Sequence, residues 1–396
     1  MKRENFIWAA ILLMIIGCGE SKRHFNETDG FITVDVTMKY PKKDLILQDF
    51  MDVEYVALET NDDFVCQGIV LAVGREIILV KNQLNDGNLY VFDRRGKGLR
   101  KINRKGNGAE EYPFLSDITL DEENNEMFIN CINKLLVYDL FGNFKRSLLF
   151  REGSSYNSIC NYNKENLICF DRNFDNKEES IKSPFIIISK KEGRIIKDIS
   201  IISQQKLPDT KRINLNDMVV VAYGAKSPYI AIIPYKDNWI LTVYSSDTLF
   251  RYLPDENLIP FMVRAPSIES KEAESFLAPV ILTDHYYFLQ AEKMEPEVKG
   301  NTPQEATVFY PKTYLVYDRK EKSIFEYSAY NKDYTNKAVD ITQEKGNDEI
   351  AFWRKIEAHE LLEANKNGQL KDGKLKEIAK KLDEDDNPVI MLVKHK

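Results

Sequence analysis

Only four histidines occur among 396 residues, His24, His285, His359 and His395, and they are scattered, two of them near the ends. That distribution argues against a zinc site, whose imidazole ligands come in spaced groups. His359-Glu360 starts like a metalloprotease helix, but position 363 is glutamate, so the second histidine ligand is missing. Neither a Gly-x-Ser-x-Gly elbow nor a Ser-x-Asp-x-Gly-x-Thr-Trp box is present, which removes two hydrolase signatures. Gly106-Asn-Gly-Ala-Glu-Glu111 opens like a dinucleotide fingerprint, yet its last position is Glu rather than Gly and no helix pattern follows. A formal charge of −7, a pI near 5.5 and the lack of any Lys/Arg cluster with interleaved aromatics argue against nucleic acid as a partner.

Long apolar runs are also scarce. The clearest is Phe6 to Ile16, preceded by Met1-Lys-Arg-Glu and followed by Gly17-Cys18. Positive charge, apolar stretch and small residue in that order read as a signal peptide over residues 1–17. A spanning helix needs about 20 apolar residues, so this run is too short to remain as an anchor. Ile15-Ile16-Gly17-Cys18 resembles a bacterial lipobox, which makes Cys18 the expected lipidation site and the first residue of the mature chain. Acyl chains contribute about 0.8 kcal/mol per buried methylene, and more than one chain gives a stable membrane anchor. The expected location is the cell envelope, with the outer membrane as the site and residues 18–30 as a flexible tether. The residues after Cys18, Gly-Glu-Ser-Lys-Arg, carry no acidic run of the sort associated with surface export and leave the membrane face open.

An exported chain meets oxidising conditions, so the other four cysteines matter. Cys160 and Cys169 flank Asn163-Lys-Glu-Asn166, and symmetric pairing about that turn would place them opposite each other on antiparallel strands. Two readings stand: a disulfide, or two small buried hydrophobes. Cys66 and Cys131 have no evident partner.

A repeat runs through the middle of the chain. Leu89-Tyr-Val-Phe-Asp-Arg-Arg-Gly96 recurs as Leu135-Leu-Val-Tyr-Asp-Leu-Phe-Gly142, then as Phe185-Ile-Ile-Ile-Ser-Lys-Lys-Glu-Gly193, as a degenerate Leu249-Phe-Arg-Tyr-Leu-Pro-Asp-Glu256, and as Tyr314-Leu-Val-Tyr-Asp-Arg-Lys-Glu321. Each clear copy is a strand, a tight polar turn and a second strand. The spacing of roughly 46 to 65 residues is about one four-stranded propeller blade, with insertions in later copies. Strands are expected near 69–73, 76–81, 88–93 and 98–103 in the first blade, and near 115–121, 126–131, 134–139 and 144–150 in the second. Three more blades reach about residue 328. The sixth is expected from the two ends, Phe31–Val36 and Val53–Leu58 with Val389–Val393, which closes the ring and removes exposed edges. An all-β, six-bladed propeller over residues 31–396 is therefore the expected fold. The stretch about 348–382 has helix-forming composition, with Ile350, Trp353, Ile356, Leu361 and Leu362 on one face, and reads as a helical insertion packed on the last blade or capping the channel.

Asp52-Val-Glu-Tyr-Val-Ala-Leu-Glu-Thr60, Lys105-Gly-Asn-Gly-Ala-Glu-Glu-Tyr112 and Asp383-Glu-Asp-Asp-Asn-Pro-Val-Ile-Met-Leu-Val393 make the chain resemble the six-bladed β-propeller lipoproteins of Bacteroides-type bacteria over essentially its whole mature length. The Gly-rich stretch also resembles the linker of NHL-type repeats. The resemblance implies a fold and an envelope location, and carries no activity with it.

Candidate chemistry is geometric. Arginines fall at or near four of the links between an outer strand and the next inner strand: Arg104, Arg151, Arg212 and Arg264. With Glu110, Glu111 and Tyr112 nearby and Tyr156 available to stack, they are expected to form a ring on an anionic or glycan ligand, since forked guanidinium donors suit carboxylate, sulfate and phosphate. The contrasting expectation is local pairing with neighbouring acids such as Glu152. The leading expectation is a non-catalytic binder of a ligand or envelope protein, in nutrient capture or sensing, with no cofactor and no metal. Its alternative is a metal-dependent hydrolase, lactonase- or glycosidase-like, holding calcium in the channel; abundant carboxylates keep glycoside hydrolysis open. A scaffold role would instead require a large exposed apolar patch.

Overall fold

A computed structural model describes residues 30–174, 183–201, 210–215, 218–223, 230–300, 307–341 and 345–396. The signal peptide, Cys18 and the tether up to residue 29 lie outside the described residues. The repeat is explained by its turns. Asp93 Oδ1 accepts the backbone N–H groups of Arg95 and Lys97 at 2.8 and 2.9 Å. Asp139 does the same for Phe141 and Asn143, and Asp318 for Lys320 and Glu321. A short side chain that mimics a backbone turn is what the motif supplies. Gly96 follows with φ +89°, and a Cβ there would lie 1.9 Å from the carbonyl oxygen of Ala57, so only glycine fits.

The chain begins with β1 (Ile32–Asp35), β2 (Lys42–Ile46), the short α1 (Leu47–Phe50) and β3 (Met51–Ala57). Blade one follows as β4 (Ile69–Val73), β5 (Ile77–Lys81), β6 (Asn88–Asp93) and β7 (Gly98–Asn103). Blade two is β8 (Ile118–Asp121), β9 (Glu126–Cys131), β10 (Lys134–Asp139) and β11 (Phe144–Leu149). Blade three is β12 (Tyr156–Asn161), β13 (Asn166–Asp171), β14 (Phe185–Ser189) and β15 (Ile195–Ile199). A separate hairpin, β16 (Thr210–Leu215) with β17 (Met218–Tyr223), precedes blade four: β18 (Ile232–Tyr235), β19 (Asn238–Leu241), β20 (Thr248–Tyr252) and β21 (Leu258–Ala265). Blade five contains β22 (Ser275–Leu282) and β23 (Tyr286–Lys293), an inserted hairpin of β24 (Glu297–Lys299) and β25 (Thr307–Phe309), then β26 (Lys312–Asp318) and β27 (Ser323–Tyr330). The last elements are β28 (Ile350–Ile356), α2 (Ala358–Lys366), α3 (Lys374–Ala379) and β29 (Val389–His395).

Six apolar layers, one between each neighbouring pair of blades, hold the ring. Leu79 and Val91 of blade one pack with Ile129 and Leu136 of blade two; Phe128 and Leu148 pack with Ile186 of blade three. The series continues through Ile187 with Leu241, Leu249 with Leu289, and Phe288 with Phe352. Ile78 and Phe92 against Ile390 and Leu392 close the circle. Because both faces of each blade are covered, strands such as Ile77-Ile-Leu-Val80 are apolar throughout and buried.

The sixth blade corrects the sequence expectation in two ways. It is a three-stranded sheet, β28-β29-β3, so the two chain ends do share a blade, with Val389 opposite Ala57 and His395 opposite Met51. The segment containing Phe31–Val36 is not part of it. β1 lies parallel on the outer edge of blade four, and β2 likewise on blade five. Ile350–Ile356 is a strand rather than the start of a helix, and the helical part begins at Ala358. Its Ile350 and Trp353 face blade one while Phe352 and Ile356 face blade five. An apolar run covered on both sides satisfies a helical period by accident.

The cysteines settle as well. Asn161 pairs with Leu167 and Cys160 with Ile168, one residue off the symmetric register. Because a one-residue slip reverses the facing, Cys160 packs toward blade four and Cys169 toward blade two. Both are buried free thiols, as are Cys66 and Cys131.

Candidate functional site at the channel mouth

Of the four arginines expected to converge, Arg104, Arg151 and Arg264 do not. Arg104 follows β7 directly and its Nε donates to the carbonyl of Gly142 at 2.9 Å, in the neighbouring blade. Arg151 follows β11 and pairs with Asp198 at 3.2 Å. Arg264 lies within β21, buried, with Nη2 2.5 Å from Asp247 Oδ1 and Nη1 donating to the Ser275 carbonyl at 2.8 Å. Arg212 sits in β16 with its backbone opposite Val221, and its side chain is outside the described residues. The reason is positional. Arg104, Arg151 and Arg264 lie in or directly after the fourth strands of their blades, far from the axis, and the chain reaches the channel only later, at Ser116–Asp117 and, within β12, at Asn157–Ser158.

Glu111 Oε2 accepts the N–H of Gly108 at 2.9 Å, and the Glu110 carbonyl accepts the Tyr138 hydroxyl. Tyr112 is fully buried, its hydroxyl donating to the Gly87 carbonyl at 2.8 Å and accepting the Arg104 N–H at 2.9 Å. Burial pushes this phenol up. Tyr156 is buried too and rests on Phe150 with ring centroids 4.4 Å apart. Both tyrosines shape the links and leave no face for a ligand.

The channel is lined by β4, β8, β12, β18 and β22, the inner strands of five blades. In blade six the innermost place is taken by Lys345-Gly346-Asn347, an irregular segment that turns into β28. Asn347 Oδ1 accepts the N–H groups of Glu349 and Ile350, and its Nδ2 donates to the Val73 carbonyl at 2.8 Å. A Cβ at Gly346 would lie 2.5 Å from the Ile350 oxygen, so glycine lets this segment lie flat against β28. Lys345 crosses the channel to blade two, with Nζ 3.0 Å from Asp117 Oδ1 and 2.8 Å from Thr119 Oγ1. The segment divides the channel into two mouths.

The first mouth opens where the five inner strands end. One lobe, of ≈ 700 Å³, is lined by Leu120, Asn161, Tyr162, Lys236, Asp237, Trp239, Pro254 and Asp348 among others. Tyr162 and Trp239 form an aromatic wall, with centroids 5.9 Å apart and planes inclined at 32°. A second lobe, of ≈ 580 Å³, shares Lys236, Asp237, Asn347 and Asp348 and adds Thr283, Asp284, His285, His395 and Lys396. Lys236 bonds Asp284 at 2.7 Å and thereby holds its carboxyl below the usual range. Burial pulls His395 below 6.5 despite Asp348 and Asp284. The mouth thus mixes both signs of charge with amides and an aromatic face. Among the described residues, no group of three or more His, Cys, Asp or Glu side chains is placed to hold a metal ion.

Sequence reasoning considered the links between blades and passed over Tyr162, Lys236, Asp237, Asp284 and His285, which sit at turns between an inner and a second strand, and Trp239 just beyond one. The signal was present: Pro234-Tyr-Lys-Asp-Asn-Trp239 places an aromatic just past a polar turn at the end of an inner strand.

Comparison with known proteins agrees with this architecture. The sequence model of the DUF5128 family, described as a 6-bladed beta-propeller, matches residues 23–351. A protein from Bacteroides fragilis described as exported is similar in structure, with TM-score 0.59 and 16% identity over 92% of this chain and 99% of its own. A duf4221 member from Bacteroides vulgatus gives TM-score 0.47 and 10% identity over 88% and 99%. No curated protein matches the chain in sequence. Among the described residues no helix is long and apolar enough to cross a membrane.

Proposed function

The chain belongs to the DUF5128 family of six-bladed β-propellers, and we propose that it is a lipid-anchored cell-envelope protein whose first mouth binds a glycan without catalysis, in nutrient capture or sensing. The supporting observation is the wall of Tyr162 and Trp239 beside Asn161, Lys236, Asp237 and Asp348. Sugar rings present an apolar C–H face and a rim of hydroxyls. An aromatic wall matches the first, and amides with charged groups of both signs match the second. A cavity of ≈ 700 Å³ has room for more than one such ring. Anchoring rests on the lipobox at Cys18, and the expected occupant is polar and not strongly anionic.

The test is thermal unfolding of the mature protein against neutral and acidic oligosaccharides. Ligand at about 100 times its dissociation constant should add roughly 2.7 kcal/mol of stability. Trp239→Ala should abolish the shift with the fold intact. A shift that survives Trp239→Ala, or the absence of a shift with every glycan, removes this reading. Labelling with a tritiated fatty acid, lost in Cys18→Ala, tests the anchor separately.

A further inference from the structure

The second mouth, where the inner strands begin, differs in charge from the first. It has a volume of ≈ 530 Å³ and is lined by Gly68–Leu71, Ser116, Asp117, Asn157, Ser158, Ile230 and Trp353, together with Lys81, Lys345, Arg354 and Lys355. Four cationic residues therefore line a cavity with one lining carboxylate, Asp117, although the Arg354 guanidinium is turned away onto the Trp353 and Asp340 carbonyls and the Phe352 ring. Lys355 has its own partner outside, Glu357 at 2.5 Å. Lys345 pairs with Asp117, and Lys81 donates to a backbone oxygen, that of Leu115, at 2.6 Å. Among the described residues, Lys81 has no carboxylate within ion-pair distance. Both ammonium groups are thus held on the stretch Leu115–Thr119, where the one carboxylate, Asp117, is taken by Lys345 and the charge of Lys81 is left to a backbone carbonyl.

Neutral groups complete the cavity. The Ser116 hydroxyl reaches the Asn130 carbonyl at a long 3.3 Å, and Asn157 Oδ1 is buried without a hydrogen-bond donor. An amide in that position gains a partner when it is turned so that its NH2 group meets an acceptor.

We propose that the second mouth is an anion site, taking a carboxylate, sulfate or phosphate group between Lys81 and Lys345 with Ser116 and Asn157 beside it. The site is separate from the aromatic wall of the first mouth and does not depend on the glycan reading. An anion there satisfies the excess positive charge at the end of a low-dielectric channel, where such contacts are stronger than on an open surface. The oxyanion could arrive free or as an acidic substituent on a larger molecule.

Isothermal titration of the mature protein at low ionic strength with inorganic phosphate, sulfate and galacturonate separates the three chemistries. At least one should bind, and affinity should fall as salt rises. Lys81→Ala should weaken it about tenfold or more, Lys81→Arg should retain it, and Trp239→Ala should leave it unchanged. Backbone amide NMR of the unmodified protein should show the same anion perturbing Ser116–Asp117 and Asn157–Ser158, a readout independent of whether any variant folds. The proposal is overturned if none of the three anions binds below about 10 mM, if Lys81→Ala binds as well as the parent, or if the perturbed amides cluster at Trp239 instead.

Discussion

Arg264 donates to Asp247 at 2.5 Å inside blade four, with both side chains nearly removed from water. Asp247 also accepts the Ser267 hydroxyl and the Ile268 N–H at 2.6 and 2.7 Å, so the pair organises the turn that leads into blade five. Arg264→Ala leaves that carboxylate buried with its charge uncompensated and is expected to cost about 3–5 kcal/mol. Arg104→Ala, on an exposed side chain, is expected to cost less than about 1 kcal/mol. Urea unfolding of both variants checks the contrast; equal effects would mean that the buried pair is not what sets the cost.

Tyr112 gives a second, smaller prediction. Its hydroxyl ties the Gly87 carbonyl to the Arg104 N–H. Tyr112→Phe keeps the ring and strands both backbone groups, at an expected cost of about 1–3 kcal/mol. The midpoint of denaturation should fall while glycan affinity at the first mouth stays the same.

For the thiols, burial pushes Cys160 up to about 11 and also raises Cys169 well above the ordinary thiol value. Neutral buried thiols are poor nucleophiles. Reductant should leave the melting temperature unchanged, and Cys169 should react with a thiol reagent only after denaturant is added. A melting temperature that drops in reductant would contradict the register in which Cys160 faces Ile168.

His395 sets a pH dependence whose sign is fixed by its environment. Burial lowers its folded-state value below 6.5, so the unfolded chain takes up the proton first as the pH falls. Its neutral-state contribution is complete above about 6.5 and is lost between that value and the lower folded-state one. His395→Gln should flatten the fall in stability between pH 7.5 and 5.5, measured by urea midpoints. Parallel curves for parent and variant would sink the assignment.

Where the sequence was legible, local chemistry carried the information. β4, β6 and β7 fall at the residues expected from the repeat because each is bounded by an Asx turn or a glycine that the sequence displays. Ile350–Ile356 was not legible, since two covering layers remove the alternation that marks a strand. The place of β1 on blade four depends on a pairing with residues more than 200 positions away, and no local pattern encodes it. The arginines misled for a related reason. A sequence marks the end of an outer strand but not its distance from the axis, whereas Tyr162 and Trp239 come together only when blades three and four are assembled.

The three earliest strands also impose an order on assembly. β1 finds its partner only when Leu258–Ala265 has been made, β2 when Ser323–Tyr330 has, and β3 when Val389–His395 has. The front of the chain therefore stays unpaired until those later segments are available, and the last blade forms only once β29 is present. Partners so far apart make for slow assembly with edges exposed meanwhile. Until β29 is in place, the ring is an open arc.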